Sequence, residues 1–539
     1  MMKLNFDNGF YHPDDFIGFG KYKNKTWKQV KKLDPGYLMW MAGASEDYPN
    51  RKKFIDSLFT VELDLMPDQL AAAEVITEEL LYGSHRVHRL QGGAGFGKSW
   101  TVMEIAQRAK KAGFEVKAMA NSYVATQVLA ESLNPVGIEP MTIARALALR
   151  PDTTSFSESY GPSEDTQTYL DSLLASGNLL CVDEYSMCSD GVVELIYGKM
   201  NEPGNTSKLL VIGDNKQLPS PEQDYMCAFD TILPAFKLYI PKRYAADSDL
   251  HQLEHLVRKD PLMLPMLLDK LQGDQIIKHN DFNSLCLQMI HDINNHPDDT
   301  GLMLFYRRDA VAAANRKIRS IVYGTTVDEL VNEERLRVMR TSFLPVRYDH
   351  EKGQWVTLNF YSGTFIKACD PAIETVCISF NQPDLPYNTL DDICVDCYTV
   401  INNEGDRVPV VFSKTEHQAD SSTTGGKEFN AGLNIVKQYC MEMNDWQLYH
   451  HYRSKFVQIS YGYATTVHRS QGSSVDRIYL NPADVLQGGN NIAPRLAYVA
   501  ATRAREQLHY VINDTQDGDN NDYAQYSMVK VDGVMIDEN

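Results

Sequence analysis

Basic residues are in short supply: 52 lysines and arginines stand against 71 aspartates and glutamates, a net charge of −19. Neutralising phosphates needs cations at the contact surface, so the balance argues against binding nucleic acid by bulk electrostatics, and any such path has to be local. A cysteine framework is also missing. Nine cysteines are scattered from Cys181 to Cys440, and the one CxxC pair, Cys394 with Cys397, has no second pair or histidines at ligand spacing, which argues against a zinc site. No run of about 18 apolar residues occurs anywhere, and the amino terminus, MMKLNFDNGFYHPDDF, lacks a long apolar stretch. The expectation is a reducing, cytoplasmic setting without membrane contact. Internal repeats and low-complexity blocks are absent too. What is present is ordinary for folded chains, 43% hydrophobic and 23% charged residues, spread over 539 residues that imply three or four domains.

Short apolar runs alternate with helical patterns from Arg86 to about Ile240, the signature of a parallel sheet covered by helices. Strands are expected at 86–91, 114–120, 178–183, 208–213 and 236–240. A second such region begins near Gly301 with LMLFY, pauses, and resumes from Phe456 through Arg477 to His509. The fold class is therefore α/β, with two mononucleotide-binding-like parallel-sheet domains. Between Val322 and Ser454 the texture changes to pieces such as QWVTLNF, GTFIKA, ETVCISF and RVPVVF, divided by Gly, Pro, Asn and Asp, which predicts an inserted β-rich domain. The expected division is a module over 1–57, a first sheet domain over 58–240 interrupted near 149–175, and a second over 241–321 and 455–514. The insert takes 322–454 and an acidic tail 515–539.

The stretch Gly92-Gly93-Ala94-Gly95-Phe96-Gly97-Lys98-Ser99 fits the G-x-x-x-x-G-K-[ST] phosphate loop, with an expected strand before it and a helix after it. Its glycines let backbone N–H groups converge on phosphate oxygens, Lys98 reaches the β and γ phosphates, and Ser99 ligates Mg2+. Asp183 and Glu184 close the apolar run LLCV, which puts two carboxylates at the carboxyl end of a strand, where open α/β sheets bind ligands. Asp183 is expected to hold the metal and Glu184 to act as general base toward water.

Phosphate loops serve many functions, so the remaining motifs have to choose. LVIGDNKQLP from Leu210 to Pro219 resembles motif III of superfamily 1 helicases, with Gln217 as the sensor of the γ phosphate. TTVHRSQG from Thr465 to Gly472 resembles motif V, and YVAATRAR from Tyr498 to Arg505 resembles motif VI. The resemblance implies an arginine finger at Arg503, a supporting motif IV arginine at Arg243, and an adenine-reading glutamine at Gln69 in LMPDQLAAAEVI, hence ATP with Mg2+ as cofactors. Covering residues 60–512, it is strongest to the RecD and Dda branch, superfamily 1B, whose members move 5′ to 3′ on single-stranded DNA. It implies a monomer that unwinds tailed duplexes in replication, recombination or repair, with single-strand-binding or replication proteins as candidate partners and a viral system as a candidate setting. Two rivals stay open: a DNA-stimulated ATPase that displaces bound proteins, and a nucleotide-switched DNA-binding accessory protein.

The family's DNA contacts match less well. Tyr123 offers a stacking face where the family has Pro-Thr-His, and Thr142 keeps the motif Ib threonine while Ala144 replaces the following histidine. Thr466, His468 and Ser470 of motif V are the better candidates. Phe156 and Tyr160 lie where this branch places a strand-separating pin. At the amino terminus, IGFGKYKNKTWKQVKKLDPGYLMWM (17–41) interleaves six lysines with Tyr22, Trp27, Tyr37 and Trp40. It resembles the small carboxyl-terminal module of exodeoxyribonuclease X-like proteins. Such a composition suits either a nucleic-acid surface or an aromatic mini-core solvated by lysines.

Overall fold

The computed structural model describes residues 16–512 except 18–19, 35–36, 39, 42–50, 52–53, 56–57, 59–62, 152–159, 220–226, 246, 297–300, 325–329, 350–353, 381–389, 403–404, 416–417 and 444–445. The expected acidic tail lies outside the described residues. The chain divides into two compact units: 1–148 with 164–215 and 219–242, and 149–163 with 216–218 and 243–539.

In the first unit, β1 (Val87–Gln91), β2 (Glu115–Ala120), β3 (Met141–Thr142), β6 (Asn178–Asp183), β7 (Lys208–Gly213) and β8 (Ala235–Lys237) form one parallel sheet in the order β3-β2-β6-β7-β1-β8. All six residues of β6 are buried, because helices cover both faces of the sheet. The helix Lys98–Lys111 turns Val102, Ile105, Ala106 and Ala109 inward at 1% exposure or less, the face that the sequence pattern marks. Between these strands, in the second unit, β4 (Arg150–Pro151) pairs antiparallel with β5 (Tyr160–Gly161). That short ladder brackets the expected pin, whose Phe156 lies outside the described residues; of Tyr160 only the backbone is described.

The second unit holds another parallel sheet. It comprises β9 (Ile276–Lys278), β10 (Leu302–Phe305), β20 (Ala464–Thr466), β21 (Val475–Leu480) and β22 (Ala504–Tyr510), in the order β20-β10-β21-β22-β9. Its insert is β-rich, as expected: β11 (Glu334–Val338), β12 (Ser342–Asp349), β13 (Gln354–Phe360), β14 (Phe365–Ala368), β15 (Ala372–Ile378), β16 (Ile393–Ile401), β17 (Arg407–Thr415), β18 (Gln418–Ala419) and β19 (Val457–Tyr461). Two features differ from the sequence reading. The insert carries the helices Gly426–Met443 and Gln447–Ser454, and β19, expected in the second parallel sheet, pairs with β11 and β17 of the insert instead. A buried apolar strand reads alike in either sheet, so periodicity could not assign it.

The cysteines also differ from expectation. Cys377 and Cys394 face each other across β15 and β16 and form a disulfide, while Cys397, three residues on, is buried on the opposite side of its strand. Strand geometry thus separates the CxxC pair. Among the described residues no group of three or more His, Cys, Asp or Glu could hold a metal, and no helix is long and apolar enough to cross a membrane.

Burial holds three histidines neutral: His88 in β1, His451 and His509 are each pushed down to about 4 from 6.5. Below 6.5 the unfolded chain takes up these protons and the folded chain does not until about 4. Stability should therefore fall as the pH drops through that window, by about 1.4 kcal/mol per pH unit for each histidine. Urea unfolding of wild type and His88→Leu at several pH values checks this; the variant should lose less of its midpoint on acidification.

Candidate functional site

The carboxyl edge of the first sheet gathers the predicted residues of that unit. Gly92 follows β1 directly, and its N–H donates to the Gly213 carbonyl at the end of β7, 3.2 Å away. A side chain at 92 would press on Leu238 and Phe96 at 3.2 and 3.3 Å. Gly95 and Gly97 have φ of 82° and 72°, a region that L residues enter at a cost, and a Cβ at 97 would meet the Gln69 amide at 2.2 Å. The Lys242 N–H closes on the Gly95 carbonyl at 2.8 Å, while buried Ala94 and Phe96 anchor the loop. Lys98 opens the following helix, and its ammonium donates to the Gly92 and Gly93 carbonyls, both at 3.0 Å. Ser99 is half-buried beside it.

Asp183 ends β6 and is 9% exposed. Burial pushes its carboxyl above the ordinary value, against the pull of the Lys98 ammonium and the Glu184 N–H, which donates to it at 2.9 Å. Glu184 sits at φ 49°, ψ 40°, a left-handed conformation shared by few non-glycine residues here. Such strain is retained where the surrounding structure demands it and clusters at functional sites. A buried carboxylate and a half-buried hydroxyl near a lysine fit the hard oxygen donors that Mg2+ takes when phosphates complete its shell.

Gln69 is tied to the loop and to its own helix. It is fully buried, its amide donates to the Phe96 carbonyl at 2.9 Å, and its amide oxygen accepts from the Met66 N–H at 3.0 Å. Its visible work is fastening the helix Pro67–Tyr82 to the loop. Asp68, which the sequence reading passed over, adds to this by accepting from the Tyr239 and Ile240 N–H groups at 2.6 and 2.9 Å.

Tyr123 opens the helix that follows β2, and Thr142 ends β3, paired with Ala120 at the end of β2; both are half-exposed. Ser122 caps the helix that Tyr123 begins, and the Thr142 hydroxyl caps the short helix after it by accepting from Arg145 N–H. Ala144 lies within that short helix.

In the second unit, Arg243 and Arg503 meet around one turn. Arg243 donates to the Thr502 carbonyl and the Ser474 hydroxyl, each at 3.0 Å. Arg503, 4% exposed, donates to the Val499 and Ser473 carbonyls at 3.1 and 2.8 Å. Gln217 is 2% exposed, and its backbone carbonyl accepts from Arg495 at 2.6 Å, while Gln471 binds the Leu218 carbonyl at 3.1 Å. Arg495 escaped the sequence reading; its signal is its place on the same helix as motif VI, two turns before Arg503. In motif V, Thr466 is half-exposed and His468 exposed, its ring 6.1 Å from that of Tyr306. Ser470 corrects its assignment: it is 1% exposed and its hydroxyl donates to the Val467 carbonyl, so it braces the turn and does not face a strand of DNA.

Three family models match parts of the chain. The AAA domain model matches residues 64–260, the UvrD-like helicase C-terminal domain matches 461–511, and the exodeoxyribonuclease X-like C-terminal model matches 17–46. The ATP-dependent DNA helicase dda of Enterobacteria phage T4 is 21% identical over 473 residues, 83% of this chain and 99% of its own length. The chain is thus similar to a DNA helicase over most of its length. An ATP-dependent RecD2 DNA helicase of Deinococcus radiodurans is 31% identical over 172 residues, 32% of this chain, which spans only 21% of that relative. An uncharacterized protein of Acanthamoeba polyphaga mimivirus is 20% identical over 504 residues, 82% of this chain and 99% of its own. Among solved structures, Pif1 helicase from Candida albicans matches at a TM-score of 0.39 with 14% identity, over 87% of this chain and 97% of that one. The two parallel sheets, each RecA-like, are the fold class expected from the sequence.

Proposed function

We propose that this chain hydrolyses ATP to move 5′ to 3′ along single-stranded DNA and to unwind duplex, as a monomer serving replication, recombination or repair. The observation that carries the proposal is the combination of a phosphate loop backed by Asp183 and strained Glu184 with a separate cluster of Arg243 and Arg503. A nucleotide switch needs only the first; coupling hydrolysis to a conformational cycle needs cations from a second element.

In this reading Lys98 and the loop N–H groups bind the phosphates, Ser99 and Asp183 hold Mg2+, and Glu184 takes a proton from the attacking water. When bound, Mg2+ neutralises charge on the β and γ phosphates. Gln217 reports the γ phosphate, and Arg243 and Arg503 stabilise the transferring phosphoryl group. Gln69 reads an adenine edge with the N–H and the oxygen lone pair left over from its bonds to Phe96 and Met66. Tyr123, Thr142, Thr466 and His468 are the assigned DNA contacts, the first through base stacking and the rest through phosphate or sugar.

The deciding experiment compares unwinding of duplexes with a 5′ tail or a 3′ tail, with and without ATP. ATP-dependent unwinding of the 5′-tailed duplex is expected. Unwinding confined to 3′ tails overturns the direction, and DNA-stimulated hydrolysis with no unwinding of either favours protein displacement. Negligible hydrolysis even with DNA favours the switch.

A further inference from the structure

The amino-terminal module splits its aromatics between two tasks. Ile17, Trp27, Val30, Leu38, Met41 and Ile55 form a small buried core, with Trp27 at 2% exposure. Trp40, by contrast, is 67% exposed. The Tyr37 ring lies 5.8 Å from that of Trp40, Tyr22 packs edge-on against Tyr37 at 5.0 Å, and the Lys21 ammonium sits 4.8 Å over the Tyr22 ring. An aromatic strip thus runs from Lys21 out to Trp40.

The charges around the strip are one-sided. Between residues 16 and 41 there are six lysines and a single acid, Asp34, in a chain whose net charge is −19. Asp34 is taken: it accepts from the Lys21 ammonium, the Tyr22 hydroxyl and the Tyr37 N–H. Lys31 donates to the Leu58 carbonyl. Lys23, Lys25, Lys28 and Lys32 are exposed, and among the described residues none of them pairs with a carboxylate. A mini-core merely solvated by lysines does not require an exposed tryptophan beside the edge of that core, since burying it would be favourable.

We propose that this strip is a second binding site for single-stranded DNA, separate from the motor: bases stack on Trp40 and Tyr37 while Lys23, Lys25, Lys28 and Lys32 follow the phosphates. Unpaired bases expose the π faces that such a platform takes, whereas a duplex keeps them stacked, so single strands are the favoured occupant. The site needs no nucleotide and does not depend on the motor reading. Its consequence is tethering, which raises the local concentration of DNA at the rest of the protein.

The test uses the full chain without ATP and measures fluorescence anisotropy over a range of salt. The probes are oligo(dT) of about 10 nucleotides, within the footprint of one module, and of about 40, enough for two. Wild type is compared with Trp40→Ala and with the combined Lys23→Gln, Lys25→Gln, Lys28→Gln, Lys32→Gln variant. On the long oligonucleotide, Trp40→Ala should weaken binding by about 5-fold to 100-fold. The lysine variant should flatten the slope of log affinity against log salt by about 2 to 3, from ~0.7 per phosphate contact. Stimulation of ATP hydrolysis by the short oligonucleotide should stay unchanged, so failure of the motor reading would appear there and not in the binding data. Wild-type affinity and slope in both variants overturn the site. Equal losses on a blunt duplex overturn the assignment to single strands, and losses confined to anionic phospholipid vesicles replace DNA with a membrane surface.

Discussion

Replacing Lys98 with alanine, or Glu184 with glutamine, is expected to abolish ATP turnover while leaving the protein folded. The two changes act on different steps. Lys98 is half-buried and, among the described residues, its ammonium bonds only to the Gly92 and Gly93 carbonyls, so its removal leaves two loop acceptors to water and little else disturbed. In the proposed function it removes the cation for the phosphates, an electrostatic clamp whose loss costs about 10²-fold to 10³-fold in rate. It also removes the charge that opposes the burial effect on Asp183, whose carboxyl is already pushed upward. Protonation of Asp183 should then reach further toward neutral pH, and any residual activity of Lys98→Ala should rise more steeply with pH than that of wild type. Glu184→Gln keeps the shape of the side chain and loses the proposed base, worth about 10²-fold to 10⁴-fold. Its nucleotide affinity should survive, which separates it from Lys98→Ala. Steady-state hydrolysis with single-stranded DNA, together with nucleotide binding and thermal unfolding, reads all of this. Near-normal hydrolysis by Glu184→Gln would sink the assignment of the base.

Much of this site is legible before any coordinates are known, for reasons visible in particular residues. The strand β6 is buried along its whole length and β7 nearly so, and such strands must be written as unbroken apolar runs that end abruptly at Asp183 and Gly213. The phosphate loop is equally plain because Gly95 and Gly97 need backbone conformations that few other residues accept. Legibility fails where local pattern gives no partner. The strand β3 is two residues long, and Cys377 meets Cys394 only because an antiparallel register brings them together across 17 residues. Ser470 sits in an intact motif, yet its hydroxyl turns inward to Val467, which no spacing rule reveals. Gln69 teaches the same: the side chain is where expected, but one amide N–H is spent on the loop. Motif matching places residues; it does not say which way they point.

Arg503→Ala is expected to lower DNA-stimulated ATP hydrolysis by about 10³-fold or more, the scale on which arginine fingers act, with nucleotide affinity changed only a few-fold. Arg503 is buried and its guanidinium joins the Val499 and Ser473 carbonyls, so a structural role competes with the chemical one. Removing it leaves two acceptors short of donors and should cost stability, about 1 to 3 kcal/mol for each buried group left unsatisfied. Thermal unfolding alone therefore cannot decide between the roles. Arg503→Lys can, because it keeps the charge and loses the planar fork that reaches two oxygens at once. A purely structural Arg503 predicts that activity follows stability across both variants. The finger predicts that Arg503→Lys remains slow after its stability has recovered. Arg495→Ala supplies the comparison: it cuts the bond to the Gln217 carbonyl in the same unit without removing a cation assigned to the phosphoryl group. It should lose far less than Arg503→Ala. Hydrolysis by Arg503→Ala within about 3-fold of wild type, too small for any finger, would leave Arg243 as the cation to test next.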